Sequence, residues 1–99
     1  MNIEFIPEAA SEYKSLDGSI KVLADKMLEK LEKNPYIGKE LGNKNNIDLT
    51  GFFKLYFDKN RHRIVYRIVK NEIEIIEVWG IGKRDKMEIY KAVEKRYSR

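Results

Sequence analysis

Two neighbouring segments of the chain alternate apolar and polar side chains, and this pattern constrains the fold more than any other feature. Residues 52–57 and 61–69 both have a period of two, which is the period of a β-strand with two different faces. Only the turn-forming residues 58–60 separate them, and a connection this short joins antiparallel neighbours. We therefore expect a β-hairpin at the centre of the fold.

One face of the predicted hairpin is apolar and suits a core. It carries Phe53, Leu55, Phe57, Ile64, Tyr66 and Ile68. His62 has the same parity as Ile64, so we expect a buried or edge histidine with a structural role rather than a catalytic base.

The other face of the hairpin collects positive charge. It carries Lys54, Tyr56, Arg61, Arg63 and Arg67. Like charges on adjacent strands repel one another, and a polyanion bound there would relieve the repulsion. The alternative is a solvated outer face without a ligand. Arginines at strand centres, flanked by aromatic residues, favour an anion-binding face, which we expect to be open.

The rest of the chain predicts helices on either side of the strands. The predicted elements are a strand over 2–6, a helix over 7–16, a second helix from Ser19 to Asn34, a loop over 36–51, a third hairpin-connected strand over 72–80 and a last helix over 86–97. The second helix has an apolar stripe of Ile20, Leu23, Met27, Leu28 and Leu31. Asp85 and Glu88 fit a capping box before the last helix.

This order, βααβββα, is typical of the α+β class, in which strands come in a run and helices lie elsewhere. We expect one domain over residues 1–99. Its sheet should be four-stranded and mostly antiparallel, with an N-terminal helical hairpin packed on one face and a C-terminal helix.

Composition excludes several kinds of site. The chain has no cysteine and one histidine, which removes a disulfide, a thiol nucleophile and a histidine-rich metal centre. We expect no cofactor and no metal. The sequence has neither a long apolar run nor a basic, apolar N-terminus of the signal-peptide kind. We therefore expect no membrane association and a cytoplasmic location.

The net charge of +4 is unevenly distributed. Residues 51–70 carry six basic and one acidic side chain, and residues 81–99 carry seven basic and three acidic ones. The stretch Gly80-Ile81-Gly82-Lys83-Arg84 leads into the second segment, and its glycines would let a backbone approach a phosphate. A plain connector between a strand and a helix is the alternative interpretation of this stretch. If the fold brings the two segments together, they form an anion-binding surface.

Cations without paired carboxylates suit one reaction on a polyanion. In metal-free RNA cleavage the 2′-hydroxyl is an internal nucleophile beside the phosphate. The protein must then align it, stabilise the charge on the phosphorane and move two protons. Arginine binds phosphate oxygens in a bidentate manner, which suits this task.

Nearly the whole chain resembles the RelE/ParE superfamily of bacterial toxins from toxin–antitoxin pairs. The resemblance is carried, in order, by LEKNPYIG, GFFKLYF, RHRIVYRI and VWGIGKRDKMEIY, with a closing KR. RHRIVYRI is common to the superfamily, whereas the GKR and following tyrosine point to the RelE branch, whose members cleave mRNA in the ribosomal A site.

The resemblance implies roles for four residues. Lys54 matches a lysine that stabilises the transition state, and Arg63 an arginine that contacts the scissile phosphate. Arg84 matches an arginine that clamps the phosphate and acts as general acid. Tyr90 matches a tyrosine that acts as general base and also stacks on the substrate nucleobase. We further expect RNA contacts from Tyr56, Lys59, Arg61 and Lys83. Tyr56 stands where the branch often has a second lysine, a charge that Lys59 or Arg61 could replace.

The resemblance also implies partners and alternatives. The expected partners are a cognate antitoxin, the ribosome and mRNA. The first hypothesis is a ribosome-dependent, metal-independent mRNA endoribonuclease. A second is a ParE-like inhibitor of DNA gyrase that acts by binding, and a third is an inactive relative that only binds its antitoxin.

Overall fold

The computed structural model describes residues 2–44, 46–70, 74–83 and 87–98, apart from the side chain of Lys44. The helices are α1 (Pro7–Lys14), α2 (Gly18–Lys33) and α3 (Glu88–Tyr97). The strands are β1 (Asn2–Phe5), β2 (Lys39–Glu40), β3 (Asn43–Lys44), β4 (Ile47–Asp48), β5 (Phe52–Phe57), β6 (His62–Lys70) and β7 (Glu74–Lys83). No helix in these ranges is long and apolar enough to cross a membrane.

The predicted hairpin is the centre of the sheet. Strands β5 and β6 are antiparallel, with a register that runs from Phe57 opposite His62 to Phe52 opposite Arg67. The full order is β1-β7-β6-β5-β2, in which β1 is parallel to β7 and the other neighbours are antiparallel. The α+β class, the helical hairpin and the C-terminal helix are thus confirmed.

The sheet has one strand more than the predicted four. The additional strand, β2, pairs with β5 inside the segment 36–51, which the sequence predicted as a loop. Strands β3 and β4 form a separate two-stranded hairpin in the same segment. Each of these strands has two residues, which is too short for a period of two to be visible in the sequence.

Several predicted element ends differ from the structure. Helix α1 ends at Lys14 instead of residue 16, and β7 continues to Lys83 instead of ending at 80. The predicted cap at Ser19 is wrong, because α2 begins at Gly18 and Asp17 takes the cap position. At α3 the cap position holds Met87, in the left-handed region with φ 68°. Asp85 lies outside the described residues.

The first core lies between the N-terminal helices and one face of the sheet. Its buried residues are Ala9, Ala24, Leu31, Phe57, Ile64, Tyr66, Ile76, Val78 and Ile81. The hydrophobic faces predicted for β5 and β6 are therefore confirmed. Leu23 was predicted on the buried stripe of α2 but is 36% exposed, and Ala24 is buried in its place.

The second core lies on the opposite face of the sheet, under α3. Its buried residues are Ile47, Leu49, Phe52, Val65, Ile89, Tyr90 and Val93. The expectation that this face is open is therefore wrong for most of its area. The amphipathic helix α3 has its own apolar stripe, and burying that stripe against the sheet removes apolar surface from water.

Tyr66 anchors the segment that follows α2 to the sheet. Its hydroxyl donates a hydrogen bond to the carbonyl oxygen of Pro35 at 2.8 Å and accepts one from the amide of Gly38 at 3.0 Å. A Cβ at position 38 would overlap the Tyr66 hydroxyl and lie 2.8 Å from the carbonyl oxygen of Lys54. A glycine at this position therefore lets the chain pass closely over Tyr66 into β2.

Gly80→Ala is expected to destabilise the protein by about 1–3 kcal/mol, because it overpacks the contact between α3 and the sheet. A Cβ at position 80 would lie 2.7 Å from Cγ2 of Val93 and 2.9 Å from Cδ1 of Ile89. Urea unfolding measures the change. Gly18→Ala is the control, because a Cβ there has nothing within 4 Å and should cost no stability. Equal stability of the two variants would contradict close packing of α3 at Gly80.

Candidate functional site

The site is built around a buried arginine on the central strand. Arg63 is 6% exposed and lies directly opposite Tyr56 across the β5–β6 pair. Its guanidinium carbon is 5.2 Å from the ring centroid of Tyr56 and 4.5 Å from that of Tyr90 on α3. Both distances are within the range of cation–π attraction, so the two rings hold the guanidinium between them.

The hydrogen-bonding capacity of the Arg63 guanidinium is only partly used within the described residues. Its Nε and Nη1 atoms are buried and have no acceptor among the residues that the structure describes. Burial of a charge without hydrogen-bond partners costs on the order of several kcal/mol of folding free energy. An oxyanion bound beside Arg63 would supply the opposite charge.

Space for such an anion exists next to Arg63. A cavity of about 270 Å³ opens there, lined by Lys39, Glu40, Leu41, Gly42, Ile47, Leu49, Lys54, Tyr56, Arg63, Met87 and Tyr90. At its wall the Nζ of Lys54 donates a hydrogen bond of 2.9 Å to the hydroxyl of Tyr56. We call this cavity the cationic pocket. Aromatic rings, apolar side chains and three cations in one concave site are suited to an aromatic or sugar group that carries a negative charge.

The structure brings four of the predicted site residues together at the cationic pocket. They are Lys54, Tyr56, Arg63 and Tyr90. Tyr90 comes from α3, and its 3% exposure also fits the core position that its place in the sequence suggests. The catalytic and RNA-binding roles of these residues stay predictions.

The other predicted cations that the structure describes do not line the cationic pocket. Lys59 and Arg61 lie at the turn between β5 and β6, where the side chain of Arg61 is 67% exposed and forms an ion pair of 3.3 Å with Asp58. Lys83 is opposite His62 and lines a different cavity beside α1. Arg84 lies outside the described residues, so its role stays a prediction of the resemblance.

Arg67 lies on the same sheet face as Arg63, but its side chain is held by other residues of the protein. Its Nε donates to Oε1 of Glu77 at 2.7 Å. Its guanidinium carbon is 5.1 Å from the ring centroids of both Trp79 and Tyr97, and 5.9 Å from that of Phe52. An arginine already held by a carboxylate and three rings has little capacity for a ligand.

His62 has the structural position that the sequence predicted. It is 7% exposed, its Nδ1 is 3.0 Å from Oδ2 of Asp58, and its ring packs on Phe57 with centroids 5.3 Å apart. No three His, Asp or Glu side chains of the described ranges are grouped closely enough to hold a metal ion. The expectation of a metal-free reaction stays a prediction.

Sequence reasoning missed seven of the eleven lining residues of the cationic pocket, among them Lys39 and Met87. Lys39 belongs to a two-residue strand in a segment that has no periodicity, and Met87 precedes α3. The turn signal of Gly38 before Lys39 was visible, but only the pairing of β2 with β5 reveals that Lys39 lies opposite Lys54.

The fold is shared with solved bacterial toxins. The chain resembles the isolated RelE toxin of Escherichia coli, with 21% identity, 97% of each chain covered and a TM-score of 0.71. It also resembles a chain of the intact RelBE toxin–antitoxin complex of the same organism, with 20% identity, 86% of this chain and 98% of that chain covered, and a TM-score of 0.70. A YoeB/ParE toxin from Agrobacterium tumefaciens matches with 16% identity, 86% and 100% coverage, and a TM-score of 0.66.

Sequence comparison identifies the family. None of the curated proteins matches the chain. A family model described as ParE toxin of the type II toxin–antitoxin system, parDE, matches residues 3–87, which is most of the sequence. Together with the shared fold, this match shows that the chain belongs to the family of ParE toxins of type II toxin–antitoxin systems, within the RelE/ParE superfamily.

Proposed function

We propose that this toxin is a ribosome-dependent, metal-independent mRNA endoribonuclease that cuts in the A site. The observation that carries the proposal is the guanidinium of Arg63, buried at the cationic pocket with Nε and Nη1 lacking acceptors within the described residues. The oxygens of a phosphodiester bound in the pocket would balance this charge.

The proposed reaction is attack of the 2′-oxygen on the neighbouring phosphorus. The bond from the 2′-oxygen to phosphorus forms and the bond from phosphorus to the 5′-oxygen breaks, leaving a 2′,3′-cyclic phosphate and a 5′-hydroxyl. Arg63 and Lys54 stabilise the charge that grows on the phosphorane oxygens. The deprotonated hydroxyl of Tyr90 takes the proton of the 2′-hydroxyl, and the guanidinium of Arg84 gives a proton to the leaving oxygen, following the resemblance to the RelE branch.

Tyr56 and Tyr90 also suit the proposed substrate. Their rings flank Arg63 at 5.2 Å and 4.5 Å from the guanidinium carbon. An aromatic face beside a phosphate site supports stacking of an RNA base, which is sequence-tolerant and worth about 1–3 kcal/mol per base. The ribosome would present the message as a single strand whose bases are accessible.

A cognate antitoxin is the proposed protein partner. The similar RelE chain forms a complex with its antitoxin in the RelBE structure. An antitoxin that adds acidic charge would suit a chain of net charge +4 with unpaired donors at the cationic pocket. Occupation of the pocket by such a partner would stop RNA from reaching Arg63.

The family match favours a second candidate function. Because the matching model is the ParE toxin family, inhibition of DNA gyrase by binding is the alternative activity on this fold. In that case no covalent step takes place at the cationic pocket. The two functions therefore differ in whether conservative changes at Tyr90 and Arg84 affect toxicity.

Mapping of message ends by reverse transcription on programmed ribosomes tests the proposal. We expect wild-type protein to cut within the A-site codon, and Tyr90→Phe or Arg84→Ala to reduce cutting by about a hundredfold or more. Growth arrest by all three proteins without cuts would instead support gyrase as the target. The absence of both arrest and cuts would indicate an inactive relative that only binds its antitoxin.

A further inference from the structure

A lysine at the edge of the sheet faces the cationic pocket. Lys39 of β2 is directly opposite Lys54 of β5, and both residues line the pocket with Arg63. Strand β2 is the outermost strand on its side of the sheet. Its position follows from the anchor that Tyr66 provides at Pro35 and Gly38.

The pairing of Lys39 with Lys54 is unfavourable in the free protein. Like charges directly opposite each other across two strands destabilise the pair. Within the described residues Lys39 has no ion pair, and the Nζ of Lys54 donates to the neutral hydroxyl of Tyr56. The neighbouring carboxylate of Glu40 also lines the pocket, but it is opposite Phe53.

Three cations therefore converge on one cavity from three adjacent strands. Lys39, Lys54 and Arg63 lie on β2, β5 and β6, which are spaced by roughly 4.8 Å from one strand to the next. Arg63 is buried at the inner end, whereas Lys39 is exposed at the rim. A single small anion on Arg63 would leave the charge at the rim unbalanced, whereas a chain of phosphates would reach both.

We propose that Lys39 binds a backbone phosphate of the RNA at the rim of the cationic pocket, next to the phosphate on Arg63. The proposal rests on the proposed function and adds a binding residue to it. Because the contact is exposed and lies two strands away from Arg63, it stabilises the bound substrate and the transition state equally. Lys39 would then determine how tightly the message binds, and hardly how fast it is cut.

Lys39 also meets the description of an edge-strand lysine that prevents sheets from joining edge to edge. These two roles predict different results. An edge lysine without a ligand protects the free protein from association, so its loss would change solubility and leave substrate affinity intact. A phosphate-binding lysine is needed only when RNA is bound.

The main experiment measures single-turnover cleavage on programmed ribosomes as a function of protein concentration. Lys39→Gln is expected to raise the half-saturating concentration by about threefold to tenfold, with the maximal rate within about twofold of wild type. The half-saturating concentration of Lys39→Gln should depend less steeply on salt than that of the wild type, by about the contribution of one phosphate contact. Lys39→Arg should restore both values.

Lys26→Gln is the matched control, because Lys26 is exposed on α2 and does not line the pocket. Its half-saturating concentration should equal that of the wild type. If Lys39→Gln and Lys26→Gln behave alike, or if Lys39→Gln lowers the maximal rate alone, the proposal is overturned while the nuclease function stands. If the wild-type protein does not cut at all, the proposed function fails and the RNA contact of Lys39 fails with it.

A second measurement needs no RNA. Titration with inorganic phosphate should raise the Tm of wild-type protein and of Lys26→Gln by similar amounts, and that of Lys39→Gln by less. Without phosphate the Tm of Lys39→Gln should equal or exceed that of the wild type, because the repulsion from Lys54 is removed. A lower Tm and a shift to higher oligomers, with an unchanged response to phosphate, would assign Lys39 to edge protection and overturn the proposal.

Discussion

Arg63→Met is expected to reduce cleavage on programmed ribosomes by about 10²–10³-fold, the effect of removing one preorganised donor for a developing oxyanion. Met has a length similar to that of the arginine stem and makes favourable contacts with aromatic rings. It can therefore occupy the space between Tyr56 and Tyr90 without carrying charge. Single-turnover rates at saturating protein measure the loss.

The same substitution is expected to raise the free energy of unfolding by about 1 kcal/mol or more. When an apolar side chain replaces a buried charge that has few partners, the change is neutral or stabilising in other proteins. Arg63 is such a charge, because its Nε and Nη1 have no acceptor in the described part of the chain. Urea unfolding measures the gain. Loss of activity together with gain of stability is the signature of a residue maintained for its ligand.

Arg67→Met is the matched control for this prediction. Arg67 lies on the same strand and face, but it is held by Glu77 and by the rings of Trp79 and Tyr97. We expect this variant to lose about 1 kcal/mol of stability, because it removes the ion pair with Glu77 and the cation–π contacts. Its cleavage rate should remain close to that of the wild type. A reversed pattern between the two variants would show that Arg63 serves the fold and not a ligand.

Tyr66→Phe is expected to cost about 2–4 kcal/mol, because it leaves two backbone groups without a hydrogen bond where water has little access. The hydroxyl bridges Pro35 and Gly38, and Tyr66 itself is 0% exposed. Both contacts hold the segment that leads into β2. We therefore expect the cationic pocket to lose order together with the core. Chemical denaturation measures the loss. Tyr97→Phe, at a tyrosine that is 50% exposed, is the control and should cost much less.

The cost of Tyr66→Phe should depend on pH. Burial raises the pKa of the Tyr66 hydroxyl above its ordinary value of 10.0, although the amide of Gly38 opposes part of the shift. The unfolded chain therefore loses this proton at a lower pH than the folded protein does. The stability that the hydroxyl contributes is complete below pH 10 and declines as the pH rises above that value. The difference between wild type and Tyr66→Phe should narrow there, and a gap that widens with pH would contradict this assignment.

The faces of the central strands could be predicted from the sequence alone. Alternation with a period of two fixes on which side of a strand each residue lies, whatever the strand pairs with. For this reason Phe53, Leu55 and Phe57 were predicted in the core, and Lys54 and Tyr56 on the face of Arg63. Local spacing also predicted three helices and their order, since helix periodicity depends on residues only a turn apart.

What these residues do on their face was decided by distant parts of the chain. Helix α3 covers the face that the sequence predicted as open. Glu77 binds Arg67, whereas Nε and Nη1 of Arg63 have no acceptor in the described part of the chain. The pairing of β2 with β5 adds Lys39 to the pocket, although two residues carry no detectable period. Burial, ion pairing and convergence on one cavity arise from contacts between segments far apart in the chain. The sequence therefore determined which side chains share a face, and only the tertiary structure determined which of them remain available to a ligand.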